Sequence, residues 1–271
     1  MTPRAPAGFA AGELTPGEIA LFLDVDGTLL DLAPRPDEVA VVPGLLDDLA
    51  AVESRLGGAL ALVSGRPIAE LDRLFAPLRL AAGGIHGAEL RRRRGGPIVA
   101  LTEGRLADEW WRALARLLDD FPGSYAEHKR VSFAVHYRDP GTDVARLAAA
   151  LAGLIAQMAR HGTETRLARG HAVFEVQLRG FDKGRAIERL MAEPCFAGRK
   201  PIFVGDDAID RPAFDKALAL GGGALAVGIE LPGLSGVFAG PAEVRAWLHE
   251  IARREPREAR TREDLLCRAS S

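Results

Sequence analysis

Four carboxylates stand in two pairs behind apolar runs. Asp24 and Asp26 follow Ile19-Ala20-Leu21-Phe22-Leu23, and Asp206 and Asp207 follow Pro201-Ile202-Phe203-Val204-Gly205. Continuous apolar runs of this length read as strands buried on both faces. In an open parallel sheet, ligands bind beyond the carboxyl ends of the strands. If the two strands are neighbours, the four acids converge, and like charges that close do not all stay ionised without a counter-charge. A hard divalent cation with oxygen ligands is the natural counter-charge. Mg²⁺ fits, because it takes a few carboxylates and keeps positions for water and substrate oxygens. A single acid after a strand is as readily a helix cap or turn former. Two such pairs argue for a site.

The residues around these acids suit an anionic substrate. Gly27 lets the chain turn sharply and approach an anion closely. Thr28 adds a hydroxyl, and backbone amides in the same loop can cradle a phosphoryl group. Ser64 ends a second apolar run and offers another hydroxyl, or else caps the helix expected from Pro67. Lys183 opens a helix in Phe181-Asp182-Lys183-Gly184, where a lysine opposes the helix dipole. An ammonium among carboxylates and a phosphate explains that position; an exposed lysine is the plain alternative. The chain uses arginine far more than lysine, whose only positions are Lys129, Lys183, Lys200 and Lys216. A lysine here therefore has a specific reason more often than an arginine does.

Period and punctuation supply the elements that position these groups. Strands over 19–23, 59–63 and 78–82 alternate with helices over 43–56 and 67–75, the pattern of a parallel α/β sheet. The pattern then changes to helix, strand, strand, twice over. Helices are expected over 105–120 and 143–160, and strands over 124–127, 130–138, 164–167 and 172–178. Phe174, Val176 and Leu178 share one face of the last strand. Helices over 182–191, 209–219 and 242–253 and strands over 201–204 and 224–227 resume the first pattern. We therefore expect a core domain from 17–102 and 179–254, with an α+β unit inserted over 103–178. A flexible tail is expected over 1–16 and a disordered, charged one over 255–271. Gly104 and Gly180 make hinges plausible near 101–104 and 179–181.

Composition excludes several classes. The chain has 271 residues, 48% apolar, enough for a sizeable core. Its net charge is −2, which argues against nucleic acid as a partner. The run Arg91 to Arg94 reads as a solvated turn. No run nears the ~20 apolar residues of a membrane span. The N-terminus lacks signal-peptide features. Cys195 and Cys267 form neither a disulfide framework nor a zinc pattern, which suits the reducing cytoplasm. Of Trp110 and Trp111, adjacent on a helix, at most one faces a ligand, and core packing is the commoner use.

Asp24-Val25-Asp26-Gly27-Thr28, Ser64, Lys183 and Gly205-Asp206-Asp207 resemble, in order, the four motifs of the haloacid dehalogenase superfamily. The inserted unit is similar to that superfamily's larger cap class. His86-Gly87-Ala88-Glu89, Glu127-His128-Lys129, Val131 to Arg138 and Glu175 look like the trehalose-6-phosphate phosphatase family within it. This resemblance runs from about Leu21 to Leu248. It implies a Rossmann-like parallel sheet core with an inserted α+β cap. It also implies a Mg²⁺-dependent phosphatase acting on a disaccharide phosphate through an aspartyl-phosphate. In that scheme Asp24 is the nucleophile and Asp26 the acid and base. Lys183 and Ser64 balance phosphoryl charge. Asp24, the Asp26 carbonyl and Asp206 hold the metal, with Thr28 and Asp207 behind them and Asp207 orienting metal waters or Lys183. Glu127, Lys129, Arg138, Glu175, Gly65, Arg66 and His86 face the substrate. A trehalose-phosphate synthase becomes a functional partner. The chain departs from the family where Ile209 and Arg211 stand for the usual Thr and Glu. Two alternatives remain open: a phosphatase for glucosylglycerol, sucrose or mannosylglycerate phosphate, and a catalytically silent sugar-phosphate sensor.

Overall fold

The computed structural model of the protein describes residues 5–33, 38–101, 105–137, 139, 141–170 and 172–254. Eight strands form the larger sheet: Ile19–Leu23 (β1), Leu60–Val63 (β2), Ala81–Gly84 (β3), Glu89–Arg91 (β4), Val99–Ala100 (β5), Lys200–Gly205 (β10), Gly223–Val227 (β11) and Gly236–Phe238 (β12). Their order is β12-β11-β10-β1-β2-β3-β4-β5. The pairs from β12 to β3 are parallel, and β4 and β5 are antiparallel additions. Every residue of β1 is buried, as its unbroken apolar run requires. Helices Leu45–Arg55 (α1), Ile68–Leu74 (α2), Lys183–Met191 (α5), Arg211–Ala219 (α6) and Pro241–Arg253 (α7) accompany this sheet. Helix α1 packs against α7, and α5 against α6. Among the described residues no helix is long and apolar enough to cross a membrane.

The second sheet holds Ser124–Lys129 (β6), Ser132–Tyr137 (β7), Thr165–Gly170 (β8) and Val173–Leu178 (β9), in the antiparallel order β6-β7-β9-β8. Helices Asp108–Leu118 (α3) and Val144–Arg160 (α4) cover one of its faces. Phe133, Val135, Phe174 and Val176 join Leu114, Leu147, Leu151 and Met158 in an apolar cluster separate from that of the larger sheet. Because side chains alternate along a strand, the other face carries the intervening residues. Register sets Glu127 opposite Ala134 and Ala134 opposite Glu175. It also sets Lys129 opposite Ser132 and Ser132 opposite Gln177. One polar strip results, and a one-residue slip would bury it.

Several expectations need correction. The third strand is Ala81–Gly84, two to three residues beyond the expected 78–82. Propensity argues against Gly83 and Gly84 in a strand, but a Cβ on Gly83 would meet the Ala186 Cβ at 2.8 Å and one on Gly84 the Ile68 backbone nitrogen at 2.9 Å. Close packing of helices on the sheet therefore selects glycine. The arginine run is a solvated turn only in part, since Arg92, Arg93 and Arg94 are exposed and Arg91 is not. Arg91 is 1% exposed and grips Asp72 through two bonds of 2.6 and 2.5 Å. Arg92 pairs with Glu193 and Arg94 with Glu53. Residues 5–16 do not stand free: Ala11 is buried in the core, and the Phe9 carbonyl accepts the Trp247 indole N–H at 2.7 Å. Glycines open the space for this segment, since a Cβ on Gly223 would overlap the Phe9 ring. The tail expected over 255–271 and hinge residues 102–104 lie outside the described residues.

Candidate active site

Strands β1 and β10 are neighbours, with Leu23 opposite Val204. Asp24 and Asp206 therefore leave adjacent strand ends. Carboxylate oxygens of Asp24, Asp206 and Asp210 lie within 4.8 Å of one another. Lys183 enters this cluster from the first turn of α5, its ammonium 2.7 Å from Asp24 Oδ1 and 2.5 Å from Asp210 Oδ1. The Asp182 side chain caps that helix by accepting the Arg185 amide at 2.8 Å. Lysine is tolerated against the helix dipole because two carboxylates face it.

Asp210 carried no role in the sequence reading, yet it is fully buried. Its Oδ2 accepts the amides of Asp206 and Asp207 at 3.1 and 3.3 Å, so it shapes the loop as well as holding Lys183. The signal was present in Gly-Asp-Asp-Ala-Ile-Asp, an acid at a fixed offset from the pair. Asp207 Oδ1 accepts the Ile209 amide at 3.1 Å and caps a short turn over Ala208–Asp210, while Asp24 and Asp210 grip Lys183.

The electrostatics follow from three carboxylates facing one ammonium. Burial pushes the Asp24 carboxyl well above the usual range, with Asp210 and Asp206 adding to the push against the pull of Lys183. Burial and the Asp210 charge push Asp206 up to about 7. Burial lowers the Lys183 ammonium, but Asp210 and Asp24 outweigh it and hold it above its ordinary value. Clustered hard oxygen donors with surplus negative charge fit a divalent cation such as Mg²⁺.

The loop after β1 is set by Gly27, at φ +80°, where a Cβ would stand 1.9 Å from Asp206 Oδ2. Only glycine permits this approach. Thr28 donates its hydroxyl to Asp206 Oδ1 at 3.3 Å. The amides of Gly27, Thr28, Leu29 and Leu30 bond within the loop to the carbonyls of Leu30 and Val25. The tight turn satisfies its own donors. Asp26 does not join the carboxylate cluster. Arg66 holds it by two bonds of 2.7 Å. Ser64 is buried and its hydroxyl accepts the Arg66 amide at 3.1 Å.

The polar strip of the smaller sheet closes over these groups. The cleft between them, about 780 Å³, is lined by Asp24, Asp26, Ser64, Lys183 and Asp206 on one side and by Glu127, Lys129, His136 and Glu175 on the other. Gly65, Arg66 and His86 line it too. Glu175, 3% exposed, accepts from Gln177 at 2.7 Å and from Ser132 at 3.3 Å, and bonds His86 Nε2 at 2.7 Å. His86 sits on the larger unit, so this bond ties the two sheets together. Burial pushes the Glu175 carboxyl up, but the His86 and Lys129 charges and the hydrogen bonds outweigh it and hold it far below the usual range. Glu127 lies 3.6 Å from Lys129 Nζ. Burial raises the Glu127 carboxyl too, and neighbouring His136 and Lys129 bring it below its ordinary value. Arg138 lies outside the described residues. Trp110 is buried with Leu114, and Trp111 packs on Phe133; neither lines the cleft.

The two departures have local partners. A Cβ on Gly170, at the end of β8, would lie 2.7 Å from Ile209 Cδ1, so Ile209 gives the hairpin of the smaller sheet an apolar seat. Arg211 pairs with Asp215 at 2.7 Å.

Comparison with known proteins agrees with this arrangement. The trehalose-phosphatase family model matches residues 22–230. The trehalose-6-phosphate phosphatase of Escherichia coli (strain K12) is 35% identical over 232 residues, 86% of each chain. A probable trehalose-phosphate phosphatase of Sinorhizobium fredii is 36% identical over 216 residues, 79% of each chain. Among solved structures, a trehalose-6-phosphate phosphatase related protein superposes with TM-score 0.68 at 26% identity, covering 86% of this chain and 96% of the other. The C-terminal domain of the Candida albicans trehalose-6-phosphate phosphatase shares the fold with TM-score 0.71 at 19% identity, covering 87% and 92%.

Proposed function

The chain belongs to the trehalose-phosphatase family, and from that premise we propose that its cleft hydrolyses trehalose 6-phosphate to trehalose and phosphate. The observation that carries this reading is Asp24 paired with Lys183 at the end of β1, directly beneath the polar strip of Glu127, Lys129 and Glu175. A nucleophile and a cation face one side of the cleft, and groups that both donate to and accept from hydroxyls face the other.

In the proposed reaction the Asp24 carboxylate attacks phosphorus, and the P–O bond to the sugar breaks. Asp26 gives its proton to the departing sugar oxygen. Water then attacks the aspartyl-phosphate, Asp26 takes the proton from it, and phosphate leaves. Both tasks require the Asp26 carboxylate to leave Arg66, which pairs readily with a phosphate in its place. Lys183 and Ser64 offset charge on the transferred group. Asp24, Asp206 and the Asp26 backbone carbonyl would hold Mg²⁺, with Asp210 and Thr28 fixing their positions. The bound ion supplies positive charge at the phosphoryl oxygens. Glu127, Lys129 and Glu175 face the sugar, with Glu175 also held by His86, and the family resemblance assigns Arg138 to the same group. The residue boundary between core and cap is taken at 103 and 178. This reading makes a trehalose-phosphate synthase the functional partner that supplies substrate, and assigns the reaction to the cytoplasm.

The test is phosphate release from a panel of sugar phosphates, with Mg²⁺ or EDTA, for wild type and Asp24→Asn. Preference for trehalose 6-phosphate, abolished by EDTA and by the substitution, is expected. Preference for another sugar phosphate would overturn the substrate, and a folded but inactive wild type would favour the sensor.

A further inference from the structure

We propose that His136 is a specificity-determining residue that takes a hydroxyl of the sugar leaving group together with Glu127. The inference rests on the sugar-phosphate reading above. His136 lies on the polar face of β7 and lines the cleft. It is 9% exposed, and its Nε2 is buried without a hydrogen-bond partner. A buried imidazole nitrogen left without one is unfavourable, so such groups call for an explanation. The nearest acid, Glu127 Oε2, is 3.7 Å away, beyond hydrogen-bond length. A hydroxyl placed against both satisfies both at once, donating to the carboxylate and accepting from the imidazole N–H.

Two further features favour this over plain packing. The His136 ring stacks on Tyr125, with centroids 4.7 Å apart and planes 18° apart, which fixes the ring. Tyr125 is itself 43% exposed, so the pair stands at the margin of the sheet and not in the apolar cluster of α3 and α4. Thr142, on the same wall of the cleft, also has a buried hydroxyl without a partner. Of the four such buried atoms among the described residues, these two lie on the sugar-facing wall, while Ser124 Oγ is outside the cleft and Asp210 Oδ1 faces Lys183. The phosphate-facing residues, in contrast, are paired with one another.

The experiment compares His136→Phe and His136→Gln with wild type on trehalose 6-phosphate and on p-nitrophenyl phosphate, whose leaving group carries no hydroxyl for His136. Phe keeps the stack on Tyr125 and removes the nitrogen. We expect KM for trehalose 6-phosphate to rise about tenfold in His136→Phe, equivalent to about 1.4 kcal/mol. Turnover of p-nitrophenyl phosphate should fall far less than that of trehalose 6-phosphate, and Gln should restore part of the loss. Equal losses on both substrates, or no loss on either, would overturn the proposal. Thermal melts of both variants guard against misfolding. If wild type prefers another sugar phosphate, the substrate reading fails on its own. The same contrast, read with that sugar, then decides the role of His136.

Discussion

Replacing Lys183 by Met tests the charge logic of the site most directly. Lys183 is 5% exposed, with carboxylate oxygens at 2.7 and 2.5 Å. Coulomb's law at an effective dielectric of ~20 makes each contact worth about 6 kcal/mol gross. Desolvation of the ions takes back much of that. Removing one partner of a buried ion pair typically costs about 3–5 kcal/mol, because the other partner is left buried and uncompensated. Here Asp24, Asp206 and Asp210 would all be left facing one another. For a chain of this size each kcal/mol shifts Tm by roughly 2–4 °C, so Lys183→Met should melt about 6–20 °C below wild type in EDTA. Saturating Mg²⁺ restores positive charge to the cluster, so the deficit should shrink in its presence. Differential scanning calorimetry in EDTA and in Mg²⁺ reads both. A variant that melts with wild type in EDTA, or a deficit indifferent to Mg²⁺, would refute the argument.

The remaining expectations concern Glu175 and Gly27. The Glu175 carboxyl is held far below its unfolded value of about 4.3. Its contribution to stability is therefore full above that value and is lost as pH falls below it. Urea denaturation of wild type and Glu175→Gln should show a gap at pH 6–7 that narrows steadily as pH falls below about 4; a gap that widens in acid would contradict the sign. Gly27→Ala places a methyl against Asp206 and strains a left-handed backbone. We expect a folded protein with kcat/KM reduced about a hundredfold or more, since small misplacements at a reacting centre have effects of that order. Near-normal activity would mean that Asp206 need not stay where it is.

Much of the site was legible because its signals are local. Asp24 and Asp206 each end an unbroken apolar run, and a strand buried on both faces has no other way to present a charge than at its end. The polar strip of the smaller sheet was readable from alternation, since Phe174 and Val176 inward put Glu175 outward. Other features depended on partners distant in the chain. Asp210 looked like one more acid until its two amide bonds and its contact with Lys183 appeared. Arg91 looked solvated until Asp72 arrived from α2. Residues 5–16 looked loose because the groove that receives them is lined by Gly223 and Gly236, far along the sequence.

By itself, then, the sequence determined which residues end strands, which face each strand presents, and which charged types the site holds. These are consequences of period, apolar runs and turn chemistry within a few neighbouring residues. Only tertiary structure decided that β1 lies beside β10, that Asp26 rests on Arg66, and that His86 ties Glu175 to the larger sheet. Each of those pairs joins elements that no local rule connects. Burial then sets their strength, because the same charges that water would screen interact strongly once the sheets enclose them.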